Sequence, residues 1–398
     1  MRRFCPLAPV PLAPALLAAA LLVMAPVADA CTCFFAANRH GAFFARNYDW
    51  HLEQGVVTVN QRGLQKTAFS FDNPARWTSK YGSVTFNQYG REFPNDGMNE
   101  AGLVIAVMWL AETRYPERDA RPSVGSSQWL QRQLDTAATV KEVLASDQDV
   151  RIEPLGGGLV HYLVADATGD CAVIEWIGGK RVAYTGDALV AKALTNDTYA
   201  NSLAYLRRHR GFGGDAPPRV SYASLDRFVQ ATLASRQAAM SGDVSISGAA
   251  GNSGDAGEAD AAGGWSAQQA MASLSGAAQG ERTKWSIVYD ARSLTIQFRT
   301  RSSPAVKRLR LADVEFSTGA PPRVLNLADA PPSGDIAPHM APYDTQQNLA
   351  EINAAFDATA FLRPFPTMIR EQIARYPELQ CVPCEMGKAA AEPVTAGE

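Results

Sequence analysis

The sequence has no long apolar run beyond its first 30 residues. The apolar stretch inside that segment, residues 15–24, is far shorter than the roughly 20 residues that a membrane-spanning helix needs. Basic residues are not in excess, because 37 Lys and Arg stand against 40 Asp and Glu, a formal net charge of −3. Internal repeats and a linker between two globular halves are also missing. The chain therefore predicts no membrane span, no nucleic-acid partner and no division into separate domains.

The first 30 residues have the features of an export signal. Arg2 and Arg3 form a positive n-region, the apolar stretch follows, and small residues precede Cys31. We therefore interpret residues 1–30 as a signal peptide, which predicts a periplasmic or secreted protein whose mature chain starts with a cysteine. Residues 31–386 are expected to form one domain, since 46% of the chain is hydrophobic, enough for a sizeable core.

Two segments lack the composition of a packed core. Residues 241–264 are dominated by Gly, Ala, Ser and acidic residues and contain no aromatic residue. Such a segment buries too little apolar surface to offset its ordering entropy, which predicts a mobile insertion. Residues 387–398 are similar in kind and predict a disordered tail.

Cysteines are few, and their number is informative. Five of the six remain after loss of the leader, which contains Cys5. An odd number leaves at least one thiol without an intramolecular partner, and we expect it to be Cys31. The spacing of Cys381 and Cys384 favours a structural disulfide, because a zinc half-site would need a second pair of cysteines or histidines.

A cysteine at the start of a mature chain carries a nucleophile and a base on one residue. The thiol of Cys31 would attack, and its α-amine, with a reference pKa of about 7.7–8.0, would accept the proton near neutral pH. This combination predicts an N-terminal nucleophile hydrolase.

The pattern of apolar residues predicts strands, then helices, then strands again, which is typical of two packed sheets with helices outside. Residues 102–110 form a continuous apolar run, which indicates a strand covered on both faces. Leu349, Ile352 and Phe356 mark a last amphipathic helix. The other predicted strands are residues 34–35, 42–48, 56–60, 162–166, 171–176, 285–290 and 293–300, and a helix is predicted at residues 126–134.

One charged residue, Arg46, lies on the second predicted strand, and another, Asp49, directly follows it. If the first two strands form a hairpin, Arg46 and Asp49 return beside Cys31. A carboxylate there would hold the α-amine, and a guanidinium would favour the thiolate. The alternative is a solvated ion pair between Arg46 and Asp49, which is the common situation for such a spacing.

Five short motifs occur in order along the chain: residues 31–32 (CT), 45–50 (ARNYDW), 96–103 (DGMNEAGL), 194–196 (LTN) and 226–228 (DRF). Together they resemble the motifs of the choloylglycine hydrolase family, which comprises penicillin V acylases and bile salt hydrolases. The resemblance covers residues 31–301 apart from the insertion, and tryptophans at positions 50 and 109 resemble the Gram-negative branch. It implies an α+β fold, the four-layer αββα N-terminal nucleophile (Ntn) hydrolase fold, and suggests a homotetramer.

The resemblance also implies roles for individual residues. Cys31 matches the nucleophile, and Arg46 and Asp49 match the pair that orders it. Asn196 matches an asparagine whose side-chain amide donates to the oxyanion. The alternative is that Asn196 is an ordinary turn residue. Trp109 falls where the second oxyanion donor sits; that family position is usually Asn or Tyr, a difference of little weight if the donor is the backbone N–H.

Arg227 matches an arginine that lies near the nucleophile in the family. The alternative is that Arg227 is an arginine on the surface of a helix. No metal or organic cofactor is implied. Trp50 and Trp109 are expected to border the acyl pocket, although both residues also fit a plain aromatic core. A tryptophan-lined pocket predicts an aromatic or long-alkyl acyl group on a small-molecule amide substrate.

Several alternatives stay open at this point. Penicillin V is the favoured substrate, with N-acyl homoserine lactones and conjugated bile salts as alternatives within the same chemistry. In a different class of protein, Cys31 would be the lipid-modified residue of an anchored binding lipoprotein, although the residues before it fit a lipobox poorly. In a third hypothesis, Cys31 and Cys33 have a structural role and form disulfides with Cys171 or the C-terminal cysteines.

Overall fold

The computed structural model describes residues 31–70, 72–154, 158–241 and 265–380. The predicted signal peptide, the predicted tail, the insertion after Ser241 and the Cys381–Cys384 pair lie outside the described residues. The domain boundaries drawn for those segments therefore stay predictions. Ser241 itself closes a helix, so the insertion begins no earlier than the following residue.

Two large sheets account for most strands in the described part of the chain. The first sheet contains β1 (Thr32–Ala37), β2 (Ala42–Asp49), β14 (Ala193–Leu194), β15 (Thr283–Asp290), β16 (Thr295–Thr300), β17 (Lys307–Arg310) and β19 (Gly334–Asp335). Its spatial order is β14-β1-β2-β15-β16-β17-β19. The predicted hairpin of β1 with β2 is an antiparallel pair, and so is the pair of β15 with β16.

The second sheet runs in the order β13-β12-β11-β8-β7-β6-β3-β18-β20, and two short pairs, β4 with β5 and β9 with β10, stand apart. These strands are β3 (Val56–Asn60), β4 (Gln65–Thr67), β5 (Arg76–Thr78), β6 (Ser83–Asn87), β7 (Pro94–Asn99), β8 (Val104–Trp109), β9 (Ser123–Gly125), β10 (Arg151–Glu153), β11 (Val160–Ala165), β12 (Cys171–Ile177), β13 (Lys180–Thr185), β18 (Arg323–Asn326) and β20 (Ala341–Pro342).

Helices cover the outer faces of both sheets. The α-helices of the described residues are α1 (Ser126–Thr136), α2 (Val140–Ala145), α3 (Tyr199–Leu206), α4 (Ser224–Ser241), α5 (Ala267–Ser273), α6 (Thr345–Ala358) and α7 (Thr367–Arg375). Helix α4 packs on β1 and α5 on β15, whereas α1 packs on β7 and β8. The predicted four-layer αββα arrangement is confirmed. Within the described ranges, no helix is both long and apolar enough to cross a bilayer.

Strand β8 shows why its sequence is a continuous apolar run. Val104, Ala106 and Met108 join the core between the two sheets, whereas Ile105 joins the core beneath α1. Since successive side chains of a strand point to opposite faces, a strand covered on both sides must be apolar at nearly every position. The prediction from residues 102–110 is therefore confirmed.

The C-terminal part of the fold differs from the prediction in one respect. The amphipathic helix with Ile352 and Phe356 is present as α6, but it is not the last helix, because α7 follows after a short loop. Helices α6 and α7 pack together around a small apolar cluster of their own, which includes Phe93, the residue directly before β7. We call residues 345–375 the C-terminal hairpin.

Candidate active site

Cys31 lies immediately before β1 and is 7% exposed. The register of the β1–β2 hairpin places Cys33 opposite Arg46 and Thr32 opposite Asn47. An Asx turn closes the hairpin, since the Asn38 side chain accepts backbone hydrogen bonds from the second and third residues beyond it. The end of β2 thus returns beside the start of β1, as the sequence predicted.

Arg46 approaches Cys31 from between the sheets. Its Nη2 donates toward the Cys31 Sγ at 3.6 Å, and its Nη1 pairs with the Asp96 carboxylate at 2.7 Å. The guanidinium also lies over the Tyr48 ring, 5.2 Å from its centroid. Burial disfavours the charge, but the Asp96 carboxylate raises the pKa of Arg46. Arg46 is fully buried and its ion-pair partner is Asp96, so the alternative of a solvated pair with Asp49 is wrong.

Asp49 lies on the other face of β2, because it is three residues from Arg46 and strand side chains alternate. Its carboxylate accepts a hydrogen bond of 2.8 Å from Gln279 Nε2 and another from the Thr283 hydroxyl. Its backbone N–H favours the thiolate of Cys31 and so lowers the pKa of that thiol. Burial raises the pKa of Asp49 to about 6, against the two side-chain donors and nearby guanidinium groups, which lower it.

Arg227 approaches Cys31 from a different direction and is bonded to Asn196. Arg227, in the first turn of α4, donates from Nη1 to the Cys31 carbonyl at 2.7 Å and to the Thr32 hydroxyl at 2.6 Å. Its Nη2 donates to Asn196 Oδ1 at 3.2 Å. The side chain is fully buried, so the alternative of a surface helix arginine is wrong.

Asn196 connects Arg227 to Trp109. Its Nδ2 donates to the Trp109 carbonyl at 2.9 Å. Strand β7 pairs with β8 only as far as Ala106, so Asn196 occupies this edge of β8 where β7 has ended. In an extended strand the N–H and C=O of one residue point to the same side. The backbone N–H of Trp109 therefore lies next to the Asn196 amide.

A buried acid and histidine support the loop that carries Asn196. His161 on β11 contacts the Thr195 carbonyl through Nε2 at 2.7 Å and Glu175 through Nδ1 at 2.9 Å. Since a carbonyl only accepts, Nε2 must carry the proton that it donates. Glu175 also accepts from the backbone N–H of Tyr199. The loop after β14 is thereby bonded to the second sheet.

The two tryptophans lie at the partly exposed side of this cluster. Trp50 donates from Nε1 to the Tyr89 hydroxyl at 2.6 Å, and its ring lies against Tyr48 and His51. Trp109 is likewise partly exposed. Neither residue is fully enclosed, unlike Trp285, which is completely buried. Their contact with substrate stays a prediction.

Cys31, Cys33 and Cys171 carry free thiols and are buried. Pairing among these three cysteines is therefore not present. The Cys33 thiol donates instead to the Met108 sulfur at 3.2 Å. Burial raises the pKa of the Cys31 thiol, although the Arg46 guanidinium lowers it. The resting thiol is thus expected to be protonated at neutral pH and to need a base.

Several residues of the cluster were not assigned from the sequence. Asp96 belongs to the 96–103 motif, which is the sequence feature that could have identified it. The structure shows that Asp96 pairs with Arg46. The remaining four residues had no signal in the sequence, because nothing local indicates which distant side chain they meet. They are Gln279, Thr283, His161 and Glu175.

Comparison with known proteins gives concordant results. The family model for linear amide C–N hydrolases, choloylglycine hydrolase family, matches residues 31–247. A penicillin V acylase from Pectobacterium atrosepticum is 30% identical over 227 residues, which is 52% of this chain and 60% of that protein's length. The chain thus spans less than two thirds of this relative.

Solved structures show the same fold. Penicillin V acylase from Agrobacterium tumefaciens has a TM-score of 0.63 and 25% identity, covering 79% of this chain and 98% of its own. A mutant conjugated bile acid hydrolase from Clostridium perfringens has a TM-score of 0.58 at 14% identity, covering 74% and 96%, and supports the fold alone. Since the family model covers more than half of the chain, this chain belongs to the choloylglycine hydrolase family of linear amide C–N hydrolases.

Proposed function

We propose that this protein is an exported amidase that hydrolyses a linear amide C–N bond with Cys31 as N-terminal nucleophile. The observation that carries the proposal is the convergence on Cys31 of three buried residues, two from β2 and one from α4. The Arg46 guanidinium approaches its sulfur, the Asp49 backbone N–H favours its thiolate, and Arg227 donates to its carbonyl. Burying charged groups costs stability, and clusters of such groups are typical of functional sites.

The proton of the Cys31 thiol determines the first step. Because burial raises the pKa of this thiol, a neighbouring base must remove the proton as sulfur attacks. Removal of residues 1–30 would create that base, the α-amine of Cys31 itself. The carboxylate of Asp49 would orient this amine, and Arg46 would stabilise the thiolate.

The oxyanion would be bound at the edge of β8. The Asn196 amide carries two N–H groups, of which one bonds the Trp109 carbonyl and the other can point to a substrate oxygen. The adjacent Trp109 N–H supplies a second donor. The Arg227 contact to Oδ1 fixes the amide so that the nitrogen, rather than the oxygen, faces this edge. Preorganised donors of this kind stabilise the tetrahedral intermediate.

The reaction then proceeds in two halves. Sulfur bonds to the carbonyl carbon while the α-amine takes the thiol proton, and the resulting ammonium gives that proton to the leaving nitrogen as the C–N bond breaks. The acyl group remains as a thioester on Cys31. Water, deprotonated by the same amine, attacks the thioester and releases the carboxylic acid and the thiol.

The favoured substrate is penicillin V, with N-acyl homoserine lactones and conjugated bile salts as alternatives. Support comes from the similarity to penicillin V acylases and from the partly exposed rings of Trp50 and Trp109, which suit an aromatic or long-alkyl acyl group. A homotetramer remains the expected assembly.

The test is amine release from penicillin V, a long-chain acyl homoserine lactone and glycocholate by mature protein with a verified N-terminal Cys31. Cys31→Ala should abolish turnover, whereas Cys33→Ala, which removes the other buried thiol of this strand, should retain most of it. Protein that retains residues 1–30 should be inactive, because its α-nitrogen is in a peptide bond. An active Cys31→Ala variant refutes the mechanism, and a mature mass carrying lipid on Cys31 would favour the lipoprotein alternative.

A further inference from the structure

The C-terminal hairpin lies outside residues 31–247, the part that the family model matches. Its helices are held by a separate apolar cluster rather than by the two main cores. That cluster joins Ile352 and Phe356 of α6 to Ile369 and Ile373 of α7. The hairpin thus packs as a separate unit beside the four layers, and its connecting loop contacts Trp109 and the neighbours of Trp50 in the candidate acyl pocket.

Thr359, directly after α6, ties this loop to the surroundings of Trp50. The residue is completely buried, and its hydroxyl lies 3.2 Å from His51 Nε2 and 3.4 Å from the Tyr89 hydroxyl. The same Tyr89 hydroxyl accepts the hydrogen bond of the Trp50 indole. In addition, the Tyr89 ring packs edge-on against Phe356 of α6. The position of Trp50 thus depends on contacts made by the hairpin.

Phe361, two residues further on, is placed beside the other tryptophan. Its ring centroid lies 6.4 Å from that of Trp109, and the side chain is 42% exposed. Trp109 is also backed by Gly158, where an added Cβ would come within 2.6 Å of the indole. The indole therefore has little room to move on the Gly158 side, and Phe361 lies against it as a second aromatic face.

We propose that the loop of the C-terminal hairpin forms a wall of the acyl pocket and that Phe361 is a specificity-determining residue. The inference rests on the proposed amidase function and specifies its substrate class. Rings at Trp50, Trp109 and Phe361 reward a flat aryl or an extended alkyl group, because both bury apolar area against aromatic faces. Phe361 also narrows the opening beside Trp109, which disfavours a wide, rigid acyl group such as a fused-ring sterol.

The experiment compares acyl groups on a single amine, so that only the acyl side varies. Mature wild type, Phe361→Ala and Phe361→Tyr are assayed with acetyl, octanoyl and phenoxyacetyl amides of 6-aminopenicillanic acid. Phe361→Ala should raise the KM for the phenoxyacetyl and octanoyl amides about three- to tenfold with kcat within about twofold, and should leave the acetyl amide unchanged. Phe361→Tyr should keep the wild-type preference, because it keeps the ring.

Met368→Ala is the matched control, since Met368 is an apolar residue of the same hairpin and is 57% exposed. It should behave as wild type. A second pair tests the other end of the loop: Thr359→Val, which removes the hydroxyl, should weaken acyl selectivity in the same direction, whereas Thr359→Ser should not. Thermal unfolding of each variant verifies that it is folded.

The outcomes separate the two proposals. If wild type with a free N-terminal cysteine hydrolyses none of these amides, and neither the acyl homoserine lactone nor glycocholate, the proposed function fails. If wild type is active but Phe361→Ala changes all three acyl groups equally or none of them, the amidase stands and the inference about the hairpin is overturned. A lower KM for glycocholate in Phe361→Ala than in wild type supports the narrowing role, and an unchanged KM contradicts that role.

Discussion

Asp49 and Arg46 reach Cys31 from opposite faces of β2. Arg46 is neutralised by Asp96 between the sheets, whereas Asp49 is held by neutral donors, Gln279 and Thr283, on the helix side. The difference matters because Arg46 has a carboxylate at ion-pair distance that favours its charged form, whereas the direct hydrogen-bond partners of Asp49 are neutral and do not offset the cost of its burial.

The first prediction concerns the pH dependence of stability. In the full-length chain, burial raises the pKa of Asp49 from 3.8 to about 6. Between these values the folded state binds more protons than the unfolded chain, so the stabilising contribution is complete below about pH 4 and is lost as pH rises to about 6. The loss is on the order of 3 kcal/mol. Asp49→Asn lacks this titration.

The measurement is the free energy of unfolding from urea titrations between pH 4 and pH 7 for the full-length wild type and Asp49→Asn. The stability of Asp49→Asn relative to wild type should increase across this range and then level off. In the mature chain an N-terminal ammonium would lower the pKa of Asp49 and move the change to lower pH. A constant difference between the two full-length proteins would show that Asp49 is not perturbed.

At the scale of elements, the site depends on how β14 and its following loop are fixed between the sheets. Strand β14 pairs with β1, while Thr195 is bonded to α4 through Ser224 and to β11 through His161. These bonds come from three different elements, so Asn196 has little freedom although it follows a two-residue strand.

The second prediction is that His161 acts as a positioning residue. His161→Ala should lower kcat about 10- to 100-fold with little change in KM, because Asn196 would lose its alignment in the transition state while the pocket for the acyl group is retained. His209→Ala is the control. Like His161, His209 is buried and its ring bonds a backbone carbonyl, that of Tyr205.

Steady-state kinetics of both variants, with thermal unfolding to verify the fold, check the prediction. Equal losses of kcat in His161→Ala and His209→Ala would indicate general destabilisation. An increase in KM alone would place His161 in substrate binding instead.

At the scale of the whole molecule, the four layers carry the cysteine site, and the segments added to them differ in kind. The C-terminal hairpin has its own apolar cluster and contacts the pocket region. By contrast, the predicted insertion joins α4, which ends at Ser241, to α5, which begins at Ala267. Its composition predicts that it contributes no packed core.

The third prediction is that residues 242–264 are dispensable for stability. Replacing them with a short Gly/Ser linker should change the melting temperature by only a few degrees, because shortening a flexible loop alters the closure entropy slowly. Differential scanning calorimetry of the deletion and the parent protein measures the effect. A decrease of more than about 10 °C would show that the segment is packed against the fold.

Local patterns in the sequence predicted most of the central architecture. The β1–β2 hairpin, the doubly covered β8 and helix α6 each have a periodicity or a turn residue that acts over a few positions. Helix α7 was missed, since its weak apolar pattern follows two prolines in residues 364–366. The sequence does not predict strand β7, since its Asn, Asp and Gly residues are poor strand formers.

What the sequence determined by itself is the identity of the reactive groups. A cysteine directly after the predicted leader, and an arginine and an aspartate on the returning strand, are related by short spacings. The tertiary structure decided their partners: Asp96 for Arg46, Gln279 for Asp49, and the C-terminal hairpin for the tryptophans. Spacing along the chain encodes contacts within one hairpin, but contacts between elements depend on packing, which no local pattern specifies.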